Sequence, residues 1–515
     1  MNHYQEQPEV LWEPPYRGQF SRVENLRRFI NRKHKLSLKD YNDLHKYSTE
    51  DWEFWQDVWE FTGVMSSIPP EKVVILEKED GSLEFFPGTR LNYAENILRR
   101  NDDAIAITAI RETGSVVHYT RRQLKSMVRN VSNALRFYDV KPLDRVAAIT
   151  TNSINAVVLA LACATVGALY STTAPDMGVP GILDRYRQIT PKLLFSDTEI
   201  LYAGKRIDLC QKLEQVSRDL TSECGLQKTI IFPSTITNIY PKHPITASLT
   251  FEEFLSKGSG PLVFEQLPFN HPLWILFSSE MQGKSLGMKV EVFDPEGRNI
   301  EDTFTPGELV CTRPHPSLPL YFWNDKDGKK YHSAYYEKYP GIWTQGDFLV
   351  VNPITKGIRI LGRSDGVLNP SGVRFGSGEI YAVLERFTDK IDDSLCIGQR
   401  RPHDSDERVL LFLKLRTGHK LTPQFEQDIR HAIRTSLSRR HEPTYIFEVT
   451  EIPYTINNKK IEIAVKQVIS GTTLKPSGTV ANPGSLEQYK KYFELEKLVG
   501  ETKSKPGPPK YDAKL

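Results

Sequence analysis

Cysteine is scarce in this sequence and nowhere clustered. The five residues, at positions 163, 210, 224, 311 and 396, include no Cys-x-x-Cys pair and have no histidine cluster beside them. Neither a disulfide framework nor a zinc site is supported, and no metal-ligating residue is assigned. An excess of one charge is lacking too. Lys+Arg total 67 against 64 Asp+Glu, a net charge of +3, which gives no basic field for nucleic acid. Any anion site has to be local. Long hydrophobic runs are also absent. The longest, Ala156–Tyr170, is Ala-rich and interrupted by Thr165 and Gly167, short for a membrane span and typical of a buried helix.

What is present is an ordinary globular balance, 39% hydrophobic and 25% charged, in a chain of 515 residues, enough for roughly two to four domains. The polar, proline-bearing start "MNHYQEQPEVLWEPPYRGQF" reads as no signal peptide, and a reducing, cytosolic setting is expected. The last residues, Ala513-Lys514-Leu515, resemble the peroxisomal Ser-Lys-Leu address, although the same letters also arise by chance on a flexible tail.

Periodicity divides the chain into five parts. Residues 1–100 form a helical lead-in, where Ser48 and Asp51 suggest a capping box ahead of a Trp52, Trp55, Trp59 stripe at helical spacing. Residues 101–279 begin with a hairpin, 104–110 and 116–119, followed by a helix capped by Thr120. Strand-like runs at 145–150, 168–172, 192–196, 228–232 and 273–278, most separated by helices, predict a doubly wound, mostly parallel α/β sheet. Ligands bind such sheets beyond the strands' carboxyl ends, where Ser278 and Ser279 stand. Residues 280–364 read as a small β-rich subdomain. Residues 365–470 read as an α+β lid, and 471–515 as a partly ordered tail.

Three stretches carry chemistry. "WTQGDFLVV" sets Asp347 after a glycine turn, where a carboxylate can accept two hydrogen bonds from a vicinal diol; a turn-capping role is the bland alternative. "ILGRSDGVLNPSGVRFGSGEIY" holds Arg363, Asp365 and Arg374 in a glycine-rich connector, with a Ser-Gly pair able to approach a ligand. "IPYTINNKKIEIAVKQ" places Lys459 and Lys460 on a polar turn between strand and helix, where a lysine pair ordinarily does nothing.

Together with "WEFWQDVWEFTGV", "FFPGTRLNYAENIL" and "ANPGSLEQY", these stretches resemble the adenylate-forming acyl-CoA synthetase superfamily, and more closely its acetoacetyl-CoA synthetase branch. The resemblance runs over nearly the whole chain. It implies ATP-dependent adenylation of acetoacetate and transfer to coenzyme A, with ATP, Mg2+ and coenzyme A as co-substrates, for ketone-body use and lipid synthesis. By the same resemblance, Asp347 holds the ribose hydroxyls, Arg363 supports the ribose and Arg374 faces the phosphates. Asp365 is the hinge of the lid, and Lys459 stabilises charge on the carboxylate and α-phosphate. Ser371, Gly372 and Arg434 match coenzyme A contacts. Lys205, in "YAGKR", is a weaker match for a nucleotide-phosphate contact in the coenzyme A set, with a solvated helix residue as the alternative.

One join departs from the family. In "LWILFSSEMQGKSLGMKVEVFD", residues 273–294, an apolar run ends in Ser-Ser and meets a segment resembling a much later part of the family pattern. The resemblance implies a Gly/Thr/Ser-rich phosphate loop at this place, an anion nest of backbone N–H groups. On the order of a hundred residues or more are missing, the scale of a domain. They would include that loop, the acid pocket, the adenine-stacking aromatic and the magnesium-binding glutamate. The expectation is a chain without ligase activity that retains at most partial coenzyme A or nucleotide binding. Exon skipping, an incomplete gene model and a decayed copy all fit such a join.

Overall fold

The computed structural model describes residues 18–75, 83–175, 177–202, 204–234, 236–237, 239–241, 244–277, 285–364, 367–370, 375–437, 439–454, 460–471, 480 and 482–499. By their contacts these fall into two compact units, one within 9–290 and 311–343, the other within 291–310 and 344–515.

The first unit is built on five parallel strands. In sheet order they are Ser248–Thr250, Lys228–Ile231, Leu193–Ser196, Arg145–Ile149 and Leu169–Thr173. Their sequences are short apolar runs because helices cover them, and Val146 to Ile149 have no exposed surface. Helices Ile154–Val166, Val179–Ile189 and Cys210–Cys224 make the crossovers. The α/β class expected from the alternation is the class observed. The hairpin forms as read, Ile105–Ile110 antiparallel to Val116–Thr120. Thr120 and Gln123 make a capping box for helix Arg121–Phe137, which buries Leu124, Val128, Val131 and Leu135.

The lead-in consists of helices Arg22–His34, Tyr41–Glu50 and Glu53–Thr62. The tryptophan stripe packs as expected. Trp52 lies on Phe85 with ring centroids 5.7 Å apart, and Trp59 on Phe86 at 5.0 Å. The Ser48–Asp51 capping box does not form. Ser48 is already inside the last turn of Tyr41–Glu50, where its hydroxyl donates to the His45 carbonyl at 2.7 Å. Asp51 instead ends that helix and accepts from the Glu53 N–H at 2.9 Å. A serine within a running helix bonds back to the preceding turn, which removes it as a cap.

The run at 273–278 is a second departure. Among its described residues it meets the sheet through a single parallel bridge, Trp274 to Tyr170, and through the Ser171 hydroxyl, which donates to the Ile275 carbonyl at 3.0 Å. Tyr170 N–H donates to the Leu273 carbonyl and Ile275 N–H to the Tyr170 carbonyl, both at 3.0 Å. Instead of being buried, Trp274 is 42% exposed and Leu276 70%. A parallel strand is apolar because both faces are covered, and this one is the outermost edge with its side chains open. Ser278 and Ser279 lie outside the described residues.

In the second unit a four-stranded sheet runs in the order Val290–Phe293, Gly307–Cys311, Trp343–Val351, Ile358–Arg363. A three-stranded sheet follows, Ile391–Gln399 antiparallel to Arg408–Leu415, which lies parallel to Tyr445–Glu448. The continuous "VLLFL" of its middle strand is explained by two covered faces. Val409, Leu411 and Leu413 pack with Phe425, Ile429 and Ile433 of helix Pro423–Ser436. Leu410 and Phe412 pack with Val465 and Ile469 of helix Glu462–Ser470, and with Tyr489 and Tyr492. Residues 482–499 of the segment read as a tail thus complete a core. Among the described residues no helix is long and apolar enough to cross a membrane.

Candidate active site

Strands Trp343–Val351 and Ile358–Arg363 pair antiparallel, with Asp347 directly opposite Arg363. Arg363 Nη1 donates to Asp347 Oδ1 at 3.2 Å. The carboxylate is 17% exposed and the guanidinium side chain 50%. Gly346 makes this closeness feasible. Its φ is +80°, and a Cβ there would stand 2.8 Å from Arg363 Nη2. The neighbouring Phe348 and Val350 turn to the other face and pack on Leu361, so alternation presents Asp347 away from that core.

Beyond Arg363 the chain is fastened twice. The Ser364 hydroxyl donates to Glu308 Oε1 at 2.8 Å, on strand Gly307–Cys311. Asn369 N–H donates to Glu407 Oε1 at 2.7 Å, and Glu407 Oε2 pairs with Lys466 at 3.2 Å. Leu368 bridges Phe375. Asp365, Ser371, Gly372 and Arg374 lie outside the described residues.

Lys459 also lies outside them, but its neighbour Lys460 does not. Lys460 Nζ donates to the Ser394 carbonyl at 2.6 Å and pairs with Asp393 Oδ1 at 2.8 Å. It also stands 4.3 Å from the centre of the Tyr381 ring. Tyr454, bridged to Lys460, donates its hydroxyl to the same Asp393. Glu462 accepts from Ser377 at 2.8 Å and from Tyr381 at 2.6 Å. Burial first, then the Glu462 charge, pushes the Tyr381 hydroxyl well above its ordinary range. Of the lysine pair, Lys460 is committed to structure.

Arg434 lies in the last turn of helix Pro423–Ser436, held by Glu442 through Nε at 3.0 Å and Nη2 at 2.8 and 3.1 Å. Lys205 belongs to the first unit. It opens strand Lys205–Asp208 of a hairpin with Glu199–Tyr202, so its expected helical alternative is corrected: Gly204, at φ +72°, turns the chain back there. The residue is exposed. The structure therefore brings Asp347 and Arg363 together, and places Arg434 elsewhere in the same unit. The sequence reading missed Glu308, Glu407 and Glu442. Each is far in sequence from its partner or carries no periodic signal; only the Arg434–Glu442 spacing, across a helix end, was open to notice. Among the described residues no three or more His, Cys, Asp and Glu side chains gather to hold a metal ion.

A parallel α/β sheet, a β sheet carrying an Asp–Arg pair at its last strand, and an α+β domain are the parts of an AMP-binding enzyme, the class that the comparisons show. A family model described as AMP-binding enzyme matches residues 94–279. Acetoacetyl-CoA synthetase of Rattus norvegicus is 32% identical over 667 aligned positions, covering 95% of this chain and 98% of that protein. Acetoacetyl-coenzyme A synthetase of Rhizobium meliloti is 29% identical, covering 89% and 95%. The solved structure of acetoacetyl-CoA synthetase from Streptomyces lividans superposes with a TM-score of 0.84 at 25% identity, covering 94% of this chain and 99% of that one. The chain belongs to the acetoacetyl-CoA synthetase family. The alignment with the Rattus norvegicus protein is longer than this chain, 667 positions against 515 residues. Many aligned positions are therefore filled by the relative alone. The family model stops at Ser279.

Proposed function

We propose that this chain is an acetoacetate–CoA ligase: it adenylates acetoacetate with ATP and transfers the acyl group to coenzyme A, giving acetoacetyl-CoA, AMP and pyrophosphate. The observation that carries this reading is likeness along the full length, 32% identity with 98% of the relative covered. In this reading Asp347 accepts hydrogen bonds from the ribose hydroxyls and Arg363 steadies it, a carboxylate offering up to four acceptor sites. Arg374 faces the phosphates. Lys459 stabilises the negative charge that develops on the carboxylate and α-phosphate, a preorganised cation in a site closed to water. Residues 365–470 act as a lid turning about Asp365, and Ser371, Gly372, Arg434 and Lys205 receive coenzyme A. Mg2+ enters with ATP. The test is incubation of the purified full chain with acetoacetate, Mg·ATP and coenzyme A. Pyrophosphate release and acetoacetyl-CoA by mass spectrometry support the reading.

One observation speaks for a second reading. The alignment is longer than the chain, and the family model ends where an apolar run reaches Ser279. A missing block at that point would take the phosphate loop with it. One preorganised donor is worth about 3–4 kcal/mol in kcat, so losing a nest of them abolishes adenylation. Calorimetry separates the two: coenzyme A binding without pyrophosphate release identifies a binding protein derived from a ligase.

A further inference from the structure

We infer that Glu442 is a resident anion that competes with the phosphates of coenzyme A for Arg434. The inference rests on the reading of Arg434 as a coenzyme A contact. Glu442 takes the guanidinium edge-on, through Nε and Nη2 at 2.8 to 3.1 Å, the fork geometry that a phosphate would also use. It also lies 3.7 Å from Arg430 Nη1, and Arg430 is held by Glu426 Oε1 at 3.0 and 2.8 Å. Two guanidinium and two carboxylate groups therefore balance one another, and a phosphate arriving at Arg434 meets a neutral cluster. The backbone that carries the carboxylate is anchored. The Glu442 backbone N–H donates to the Arg439 carbonyl at 3.4 Å, in a turn whose His441 ring rests 4.3 Å from the Phe375 ring. The Glu442 side chain is 16% exposed.

Arg434, by contrast, is 52% exposed, and an exposed pair is weak enough for a ligand to break. The competition is therefore partial. It sets affinity and its dependence on salt without closing the subsite.

Calorimetric titration of the full chain and of E442Q with coenzyme A, and with pantetheine as its phosphate-free part, tests this. E442Q is expected to bind coenzyme A on the order of three- to tenfold more tightly at low salt, with a smaller gain at high salt and none for pantetheine. R434A is expected to weaken coenzyme A binding. If E442Q binds it equally or more weakly while R434A binds it more weakly, the competition is overturned and the Arg434 contact stands. If R434A changes nothing, or the unmodified chain does not bind coenzyme A, the contact falls and the inference with it. E442A repeats the measurement should E442Q lower the folded fraction seen by circular dichroism.

Discussion

Arg363 stands directly across the ladder from Asp347 and donates to its carboxylate at 3.2 Å, over a glycine that leaves no room for a side chain. A carboxylate steadied in this way is a strong acceptor for a diol. Asp347→Asn is expected to weaken AMP binding about ten- to a hundredfold, the scale of hydrogen bonds to a charged group. Arg363→Ala should cost less, because that side chain is half exposed. Calorimetry with AMP checks both, and an unchanged affinity in Asp347→Asn removes the ribose role.

The lead-in hides a carboxylate. Asp57 has no exposed surface, yet accepts from the Tyr47 hydroxyl at 2.8 Å, contacts His34 Nε2 at 2.8 Å and pairs with Lys33 at 3.0 Å. Lys33 keeps Glu60 as a second partner. Asp57→Ala should therefore cost about 2–3 kcal/mol, less than for a pair left wholly uncompensated. The two units need not unfold together, so amide exchange across helices Arg22–His34 and Glu53–Thr62 is the readout. Unchanged protection would contradict the estimate.

His315 supplies a pH dependence. It is 4% exposed, and its Nε2 has no hydrogen-bond partner among the described residues. The Ser317 N–H donates to Nδ1 at 3.3 Å, which fixes that nitrogen as an acceptor. Burial lowers the imidazole from 6.5 to about 4. As pH falls through 6.5 the unfolded chain takes up a proton that the folded one refuses until about 4. Stability is thus fully present above 6.5 and lost progressively between 6.5 and 4, about 2 kcal/mol by pH 5. His315→Leu should flatten this slope. Thermal midpoints at pH 7.5 and 5 measure it, and an equal pH shift in wild type and variant would refute it.

The open edge of the first unit has its own consequence. Leu276 of the edge run is 70% exposed, with Trp274 also open, and on the separate hairpin Ile110 is 72% exposed, with Ile105 and Val116 open. Exposed apolar side chains on a sheet edge and on a hairpin promote association. The double variant Leu276→Lys, Ile110→Lys should lower the fraction of aggregate in light scattering and the fluorescence of a bound hydrophobic dye. No change in either would show that the surface is harmless.

The parallel sheet was legible because its strands are buried on both faces, so apolar runs such as "RVAAI" between helices have few other destinations. The hairpin and the Thr120 cap were legible for local reasons, as turn and cap chemistry act within a few residues. The 273–278 edge was misread because an apolar run looks the same whether or not anything covers it. Helix Lys329–Tyr336 escaped notice inside a stretch of turn residues, its stability coming from aromatic contacts such as Tyr335 on Trp343 at 5.3 Å. At the site, Asp347 and Arg363 could be named from their motifs. That they face each other depends on strand register, and that Lys460 is anchored depends on Asp393, far away in sequence. Neither has a local signature.

Ser364 is bolted to Glu308 and Asn369 to Glu407, five positions apart along the chain. A torque on the three-stranded sheet would thus be delivered to the backbone at Asn369 and resisted at Ser364, like a crank held at its bearing. The throw of that crank is fixed by how many peptide links separate the two bolts. In the lid motion proposed above, cutting the Glu407 bolt is expected to lengthen the arm, so that the swing loses its aim before it loses its range.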